Sequence, residues 1–147
     1  MQHGPFADVY ESNRRSVYLM TQRLQRHPYL GMFDGADPAL STASRSVTIT
    51  PIQALFSMNS DFIHRTSAFW ASKLMDRPDE ASRVREAFRT VFGRLPEAAE
   101  SAKSAAYLAD VRQTLSHSGA GEKEVPRQAL ASYLRVLLAS NEFLFLE

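Results

Sequence analysis

Proline punctuation constrains this chain more than any other feature. Pro51, Pro78, Pro96 and Pro126 each open a stretch in which apolar residues recur at helical spacing. The locked φ of proline is already near helical, and the amide hydrogen it lacks has no intrahelical partner at a helix's first position. These four marks predict a mostly α fold: a bundle of four to five helices over 50–147 behind an irregular N-terminal third, 1–49, in a single domain spanning 1–147. They say nothing about chemistry.

The strongest local signal is Thr50-Pro51-Ile52-Gln53, which has the spacing of a capping box: a threonine cap, a proline at the first helical position and a glutamine at the third. Beyond it Ile52, Leu55, Phe56, Phe62, Ile63, Trp70 and Leu74 recur at helical spacing as far as Met75, with Asn59-Ser60-Asp61 as a possible break capped by Ser60. The next helix starts at Pro78, with Asp79 and Glu80 at the positive end of its dipole, a stripe of Val84, Phe88, Val91 and Phe92, and Gly93 as a left-handed stop. Pro96 begins the longest helix, whose Ala102, Ala105, Ala106 and Ala109 form a small-residue face suited to close helix approach. A flexible loop, 116–124, leads to a last helix from Pro126 to about Ser140 presenting Leu130, Tyr133, Leu134, Leu137 and Leu138. Ahead of these, Ser16 to Leu24 reads equally as a short helix or a strand, and His27 to Ser46 as ordered loop rich in turn formers.

Bulk properties narrow the function classes. The net charge of +1 is near neutral, which argues against a nucleic-acid partner; the basic residues are nearly all arginine. Without cysteine the chain has no disulfide, thiolate metal site or cysteine nucleophile. No apolar run approaches bilayer length, and Met1-Gln2-His3-Gly4-Pro5 lacks the pattern of a signal peptide.

Several segments together resemble one family. The stretch from Ser12 to Leu30, Phe33-Asp34-Gly35-Ala36-Asp37, Thr50-Pro51-Ile52-Gln53-Ala54-Leu55-Phe56 and Leu137-Leu138-Ala139-Ser140-Asn141-Glu142-Phe143 occur in that order. Phe92-Gly93-Arg94-Leu95-Pro96 with Glu100 follows the same resemblance. The pattern is similar to the C-terminal part of the planctomycete-specific domain, domain-of-unknown-function family 1553. Two departures are mild: Ser60-Asp61 stands where the family often has Asp-Pro, and Ala139 where it favours asparagine. The resemblance implies a piece of a longer exported or periplasmic protein, often with cytochrome-c-like regions upstream. It implies no catalytic residues, and no haem-attachment motif or other cofactor signal lies in this chain.

Candidate sites are few. Arg14, Arg15, Arg23 and Arg26, with Arg45, can clamp a phosphate, sulfate or carboxylate through guanidinium forks, or can simply pair with Asp8, Glu11, Asp34 and Asp37. Asp34 and Asp37, joined by His27, are weak candidates for a divalent cation, since the spacing matches no standard motif and the turns explain both acids. His64 follows Asp61 at a spacing that lets the two face each other on a helix, the arrangement that orients an imidazole for proton transfer, although an exposed or helix-packing histidine with a local acid partner is the better reading. Phe62, Phe69 and Trp70 read as core rather than as a sugar-stacking platform. The apolar Phe143, Leu144, Phe145 and Leu146 read as an interface, docked on the bundle or covered by a partner.

The functional expectation is therefore a non-catalytic structural or interaction module. Its partners are upstream domains of the parent protein, with a polysaccharide or another protein possible. The alternatives are part of a hydrolytic or redox site completed by upstream residues, and a glycan- or anion-binding module.

Overall fold

Capping chemistry sets the element boundaries. The computed structural model describes residues 15–18, 23, 27–44, 48 and 50–144. The described residues are mostly helical and contain no strand, as the proline pattern predicts. They divide into two compact units, Met1–Phe56 and Ser57–Glu147, with the boundary inside the helix that follows Thr50.

In the first unit a 3-10 turn, Ser16–Tyr18, leaves Val17 and Tyr18 exposed; Met20 and Leu24 lie outside the described residues. Helix α1, Pro28–Met32, starts at a proline that the sequence reading assigns to loop, and the buried His27 caps it by accepting from Leu30 N through Nδ1. Burial lowers the pKa of His27. The chain then turns sharply: Asp34 has φ 55°, and a Cβ on Gly35 would meet the carbonyl oxygen of Leu30 at 2.6 Å, so only glycine fits there. Helix α2, Pro51–Asn59, begins with the predicted capping box: Gln53 N donates to Thr50 Oγ1 at 3.3 Å and Thr50 N to Gln53 Oε1 at 2.9 Å. The buried Gln53 amide also donates to Met32 O at 2.8 Å, tying α2 to α1. Tyr29, Phe33 and Phe56 pack their rings pairwise at 5.0–5.7 Å around this joint.

The second unit is a helical bundle of α3 (Asp61–Leu74), α4 (Glu80–Phe92), α5 (Ala98–His117) and α6 (Val125–Leu138), closed by a four-residue helix α7 (Asn141–Leu144). Helix α6 is the central element: it packs on α3, α5 and α4, and Leu130, Tyr133, Leu134, Leu137 and Leu138 are all buried, as expected. Val84, Ala87 and Phe88 of α4 and Leu108 of α5 complete the core with Ala71 and Leu74.

The prolines mark the helix starts less uniformly than the sequence suggests. Pro51 occupies the first helical position, but Pro126 stands second in α6, and Pro78 and Pro96 stand outside the caps Asp79 and Glu97. Asp79 accepts from Ser82 N at 2.7 Å, which leaves no role at the cap for Pro78. Ser60 does break the long apolar run, but its side chain makes no capping bond. Gly93 closes α4 at φ 70°, as expected.

Two packing expectations are corrected. Ala102, Ala105, Ala106 and Ala109 are exposed, because α5 packs through the larger Tyr107, Leu108, Val111 and Leu115. Phe62 and Phe69 are exposed as well, at 46% and 66%, as are Ile52 and Leu55 of α2. The small Ser67 and Ala71 are, with Leu74, the buried residues of α3, and only Trp70 of the three aromatics packs against the core.

Candidate functional site

Among the described residues, a dense polar constellation forms where α4 ends. Gly93 turns the chain out of α4, and the next residue, Arg94, swings its guanidinium over the rings of Phe88 and Phe92, 5.4 and 5.6 Å from their centroids. Phe88 and Phe92 are one helical turn apart and meet edge to face at 5.2 Å, so α4 itself builds the aromatic bed.

From that bed Arg94 reaches two carboxylates. Its Nη1 and Nη2 donate to Glu100 Oε2 and Oε1, both at 2.8 Å, while Nε and Nη2 donate to Glu142 Oε1 and Oε2 at 2.7 and 2.8 Å. Nη1 also donates to Leu95 O at 3.3 Å. A guanidinium carries five N–H donors, and these bonds use them all. Glu100 is fixed in turn: its Oε2 accepts from Glu97 N at 2.8 Å, the reciprocal half of the capping box that starts α5. One arginine thus joins the end of α4, the first turn of α5 and α7.

The electrostatics follow from the geometry. The Arg94 guanidinium, assisted by the Glu97 amide, holds the Glu100 carboxyl down to about 2. Arg94 also lowers the Glu142 pKa, and the two carboxylates, Glu100 first, raise that of Arg94. All three side chains keep contact with solvent, at 30–46% exposure. Both carboxylate pairs are bidentate, which adds orientation to charge.

Nearby polar groups also bind helix to helix. Arg112 of α5 pairs with Glu80 of α4, Nη1 to Oε2 at 2.7 Å and Nη2 to Oε1 at 3.2 Å. Tyr107 and Ser132 join α5 to α6 at 2.9 Å. The buried Ser104 Oγ donates to Glu100 O at 2.7 Å and lies 2.6 Å from Tyr133 Oη. Ser104 has one hydroxyl hydrogen and the carbonyl takes it, so Tyr133 is the donor between the two hydroxyls. Burial raises the Tyr133 pKa, in keeping with a protonated phenol. A groove of about 690 Å³ runs beside α4 and the start of α5, with Ala81, Val84, Leu95, Pro96 and Ala105 on its apolar lining and Arg85 and Ser101 among its polar groups.

The residues singled out from the sequence do not gather into one site among the described residues. Arg15 and Arg23 are exposed, while Arg14, Arg26 and Arg45 lie outside the described residues. Asp34 accepts from Thr48 N at 2.8 Å and from the Thr48 hydroxyl, which ties it to a stretch fourteen residues on, while Asp37 accepts from Ala39 N at 2.8 Å and organises its own turn. No three acidic or histidine residues among the described ones are grouped to hold a metal ion. His64 does not bond Asp61. Its Nε2 lies 3.1 Å from Met58 O and its Nδ1 3.3 Å from Arg135 Nη1. A carbonyl only accepts and a guanidinium only donates, so the ring hydrogen sits on Nε2. His64 therefore satisfies one of the carbonyls that α2 leaves free at its end. Phe143 is 40% exposed and Leu144 half-buried on α7, which packs on α4 and α6; Phe145 and Leu146 lie outside the described residues.

Among the described residues, the arginine with the most side-chain partners, Arg94, lies outside the N-terminal cluster. Its sequence signal was the Phe92-Gly93-Arg94-Leu95-Pro96 segment with Glu100, together with the separate segment holding Glu142. The structure brings these two segments onto one guanidinium. Residues 5–108 match the family PSD1, described as protein of unknown function (DUF1553). The chain belongs to this family. The matched stretch contains Arg94 and Glu100, whereas Glu142 lies beyond it. No curated protein and no solved structure is found similar to the chain. No helix among the described residues is long and apolar enough to cross a membrane.

Proposed function

We propose that this chain is a non-catalytic structural or interaction module, acting as one helical domain at the C-terminal side of a larger exported protein. The observation that supports this most is the state of Arg94. Every donor it has is engaged by Glu100, Glu142 or Leu95, so the best-built polar constellation joins helices and has no donor left to hold a substrate. Arg112–Glu80 and Tyr133–Ser104 serve the same end, and His64 is held by a helix end and Arg135. The export and the larger parent rest on the family resemblance.

The test is a screen of the purified chain for turnover of ester, glycoside, phosphate and redox-dye substrates, beside a thermal-shift screen against divalent metals, sulfated and neutral glycans, and phosphate. A module of this kind gives no turnover. Turnover that persists through repurification and is lost on substituting His64 or Arg15 would move the assignment to a partial enzyme site. A second reading, anion binding by Arg14, Arg15, Arg23 and Arg26, is favoured by the exposure of Arg15 and Arg23. It calls for a melting-temperature rise with sulfate or a sulfated glycan that Arg15→Glu and Arg23→Glu abolish.

A further inference from the structure

Helix α7 is too short to persist by itself: four residues form a single turn, and the nucleation cost of a helix is not recovered over so few hydrogen bonds. Its position therefore depends on what it touches. Internally it has the bonds from Phe143 N and Leu144 N to Ser140 O. Outward it has the bidentate Glu142–Arg94 pair and the half-buried Leu144, while Phe143 stays 40% exposed.

The receiving side is organised differently. Glu100 holds the other edge of the Arg94 guanidinium, and Glu100 is itself fixed by the first turn of α5. Phe88 and Phe92 support the guanidinium plane from the core of α4. The Nε–Nη2 edge would thus keep its place and direction if α7 left, and it would then offer two parallel donors to a carboxylate. Phe92, half-buried beside that edge, supplies an apolar neighbour. A preorganised edge and a marginal occupant make an exchangeable pair.

We infer that α7 is a releasable strap and that the place it covers is a docking site for an acidic–apolar peptide segment, with Glu142-Phe143-Leu144 as the built-in occupant. The chemistry required is a glutamate followed by bulky apolar residues. The carboxylate takes the Nε–Nη2 edge of Arg94, and the apolar residues lie along the end of α4. The strap competes as a tethered ligand, so an external segment gains access only as far as α7 lets go. This deepens the interaction-module reading and rests on it. If the peptide fails to bind while the chain still lacks turnover, the docking site is lost and the module reading stands.

The test uses the full chain and a dye-labelled peptide of sequence Ala-Ser-Asn-Glu-Phe-Leu, the residues 139–144, read by fluorescence anisotropy. The peptide is expected to bind the Glu142→Ala chain at least tenfold tighter than the unmodified chain, because the internal competitor has lost its carboxylate. A peptide with glutamine in place of its glutamate is expected to lose that gain, a control that leaves the protein untouched. Backbone hydrogen exchange at Phe143 and Leu144 is expected to rise in Glu142→Ala, with α6 unchanged. Equal affinity for both chains, or binding indifferent to the glutamate of the peptide, would overturn the proposal. So would Glu142→Ala exchange that matches the unmodified chain.

Discussion

The buried hydroxyl pair between α5 and α6 makes an asymmetric prediction. Ser104 Oγ donates to Glu100 O and accepts from Tyr133 Oη, and the two residues are 5% and 4% exposed. Ser104→Ala strands the phenolic O–H in the core with no acceptor, a loss of about 2 kcal/mol within the range for an unsatisfied buried polar group. Tyr133→Phe removes that donor but leaves the Ser104 bond to the Glu100 carbonyl, so its cost is smaller, about 1 kcal/mol. The double variant has no stranded group and is expected to lose only about 1 kcal/mol, leaving a coupling of about 2 kcal/mol between the sites. Urea titrations followed by far-UV circular dichroism measure all four corners of the cycle. Each kcal/mol corresponds to roughly 2–4 °C in Tm for a domain of this size. Strictly additive losses, or a Tyr133→Phe variant weaker than Ser104→Ala, would refute the assigned direction of the hydrogen bond.

Three further predictions follow from the same geometry. Leu134→Ala removes three carbons from a side chain with no exposed surface, about 2.4 kcal/mol at about 0.8 kcal/mol per methylene. With the cavity term the loss in urea denaturation is expected to reach about 3–4 kcal/mol, and a loss under about 1 kcal/mol would contradict the packing. For pH, the folded Glu100 carboxyl is held at about 2 against 4.5 for the ordinary group. Its contribution is therefore complete above about pH 4.5 and is lost as pH falls toward 2, so Glu100→Gln should flatten that part of the acid limb in urea midpoints taken from pH 2 to 7. Gly93→Ala meets no neighbouring atom within 4 Å but must hold φ near 70°, so its expected cost is conformational, about 1 kcal/mol in a thermal melt, and a neutral result would argue against the left-handed turn.

The fold was legible wherever the signal was local. The Thr50–Gln53 capping box forms as its residue types require, Gly93 stops α4 in the left-handed region, and the stripe of α6 is buried throughout. Periodicity failed where it could not tell which flank of a stripe meets a neighbour. In α3 the small Ser67 and Ala71 are fully buried, and the larger Phe62 and Phe69 are left outside. In α5 the opposite holds: alanines face water, where their helix propensity still favours the helix, and Tyr107 and Leu108 pack. Helix α1 was missed because its cap is a histidine, a residue outside the usual capping set.

The arginine clamp was half legible. Its three members stood in two segments that carried the family resemblance, but nothing local pairs Arg94 with Glu142 across the intervening helices. In the N-terminal third, by contrast, Arg14, Arg15, Arg23 and Arg26 lie close together in sequence and so suggest an anion site without any knowledge of the fold. A lone arginine after a helix stop looks like surface chemistry until the fold supplies its second acid.

Arg94 is a structural joint linking the end of α4 to α5 and α7. Amide hydrogen exchange of Arg94→Gln against the unmodified chain, read residue by residue, tests it most directly. Faster exchange is expected at Phe143 and Leu144 of α7 and in the first turn of α5, with the amides of α3 and α6 that surround Leu134 unchanged. Exchange that is the same in both chains, or that rises uniformly across the bundle, would contradict it.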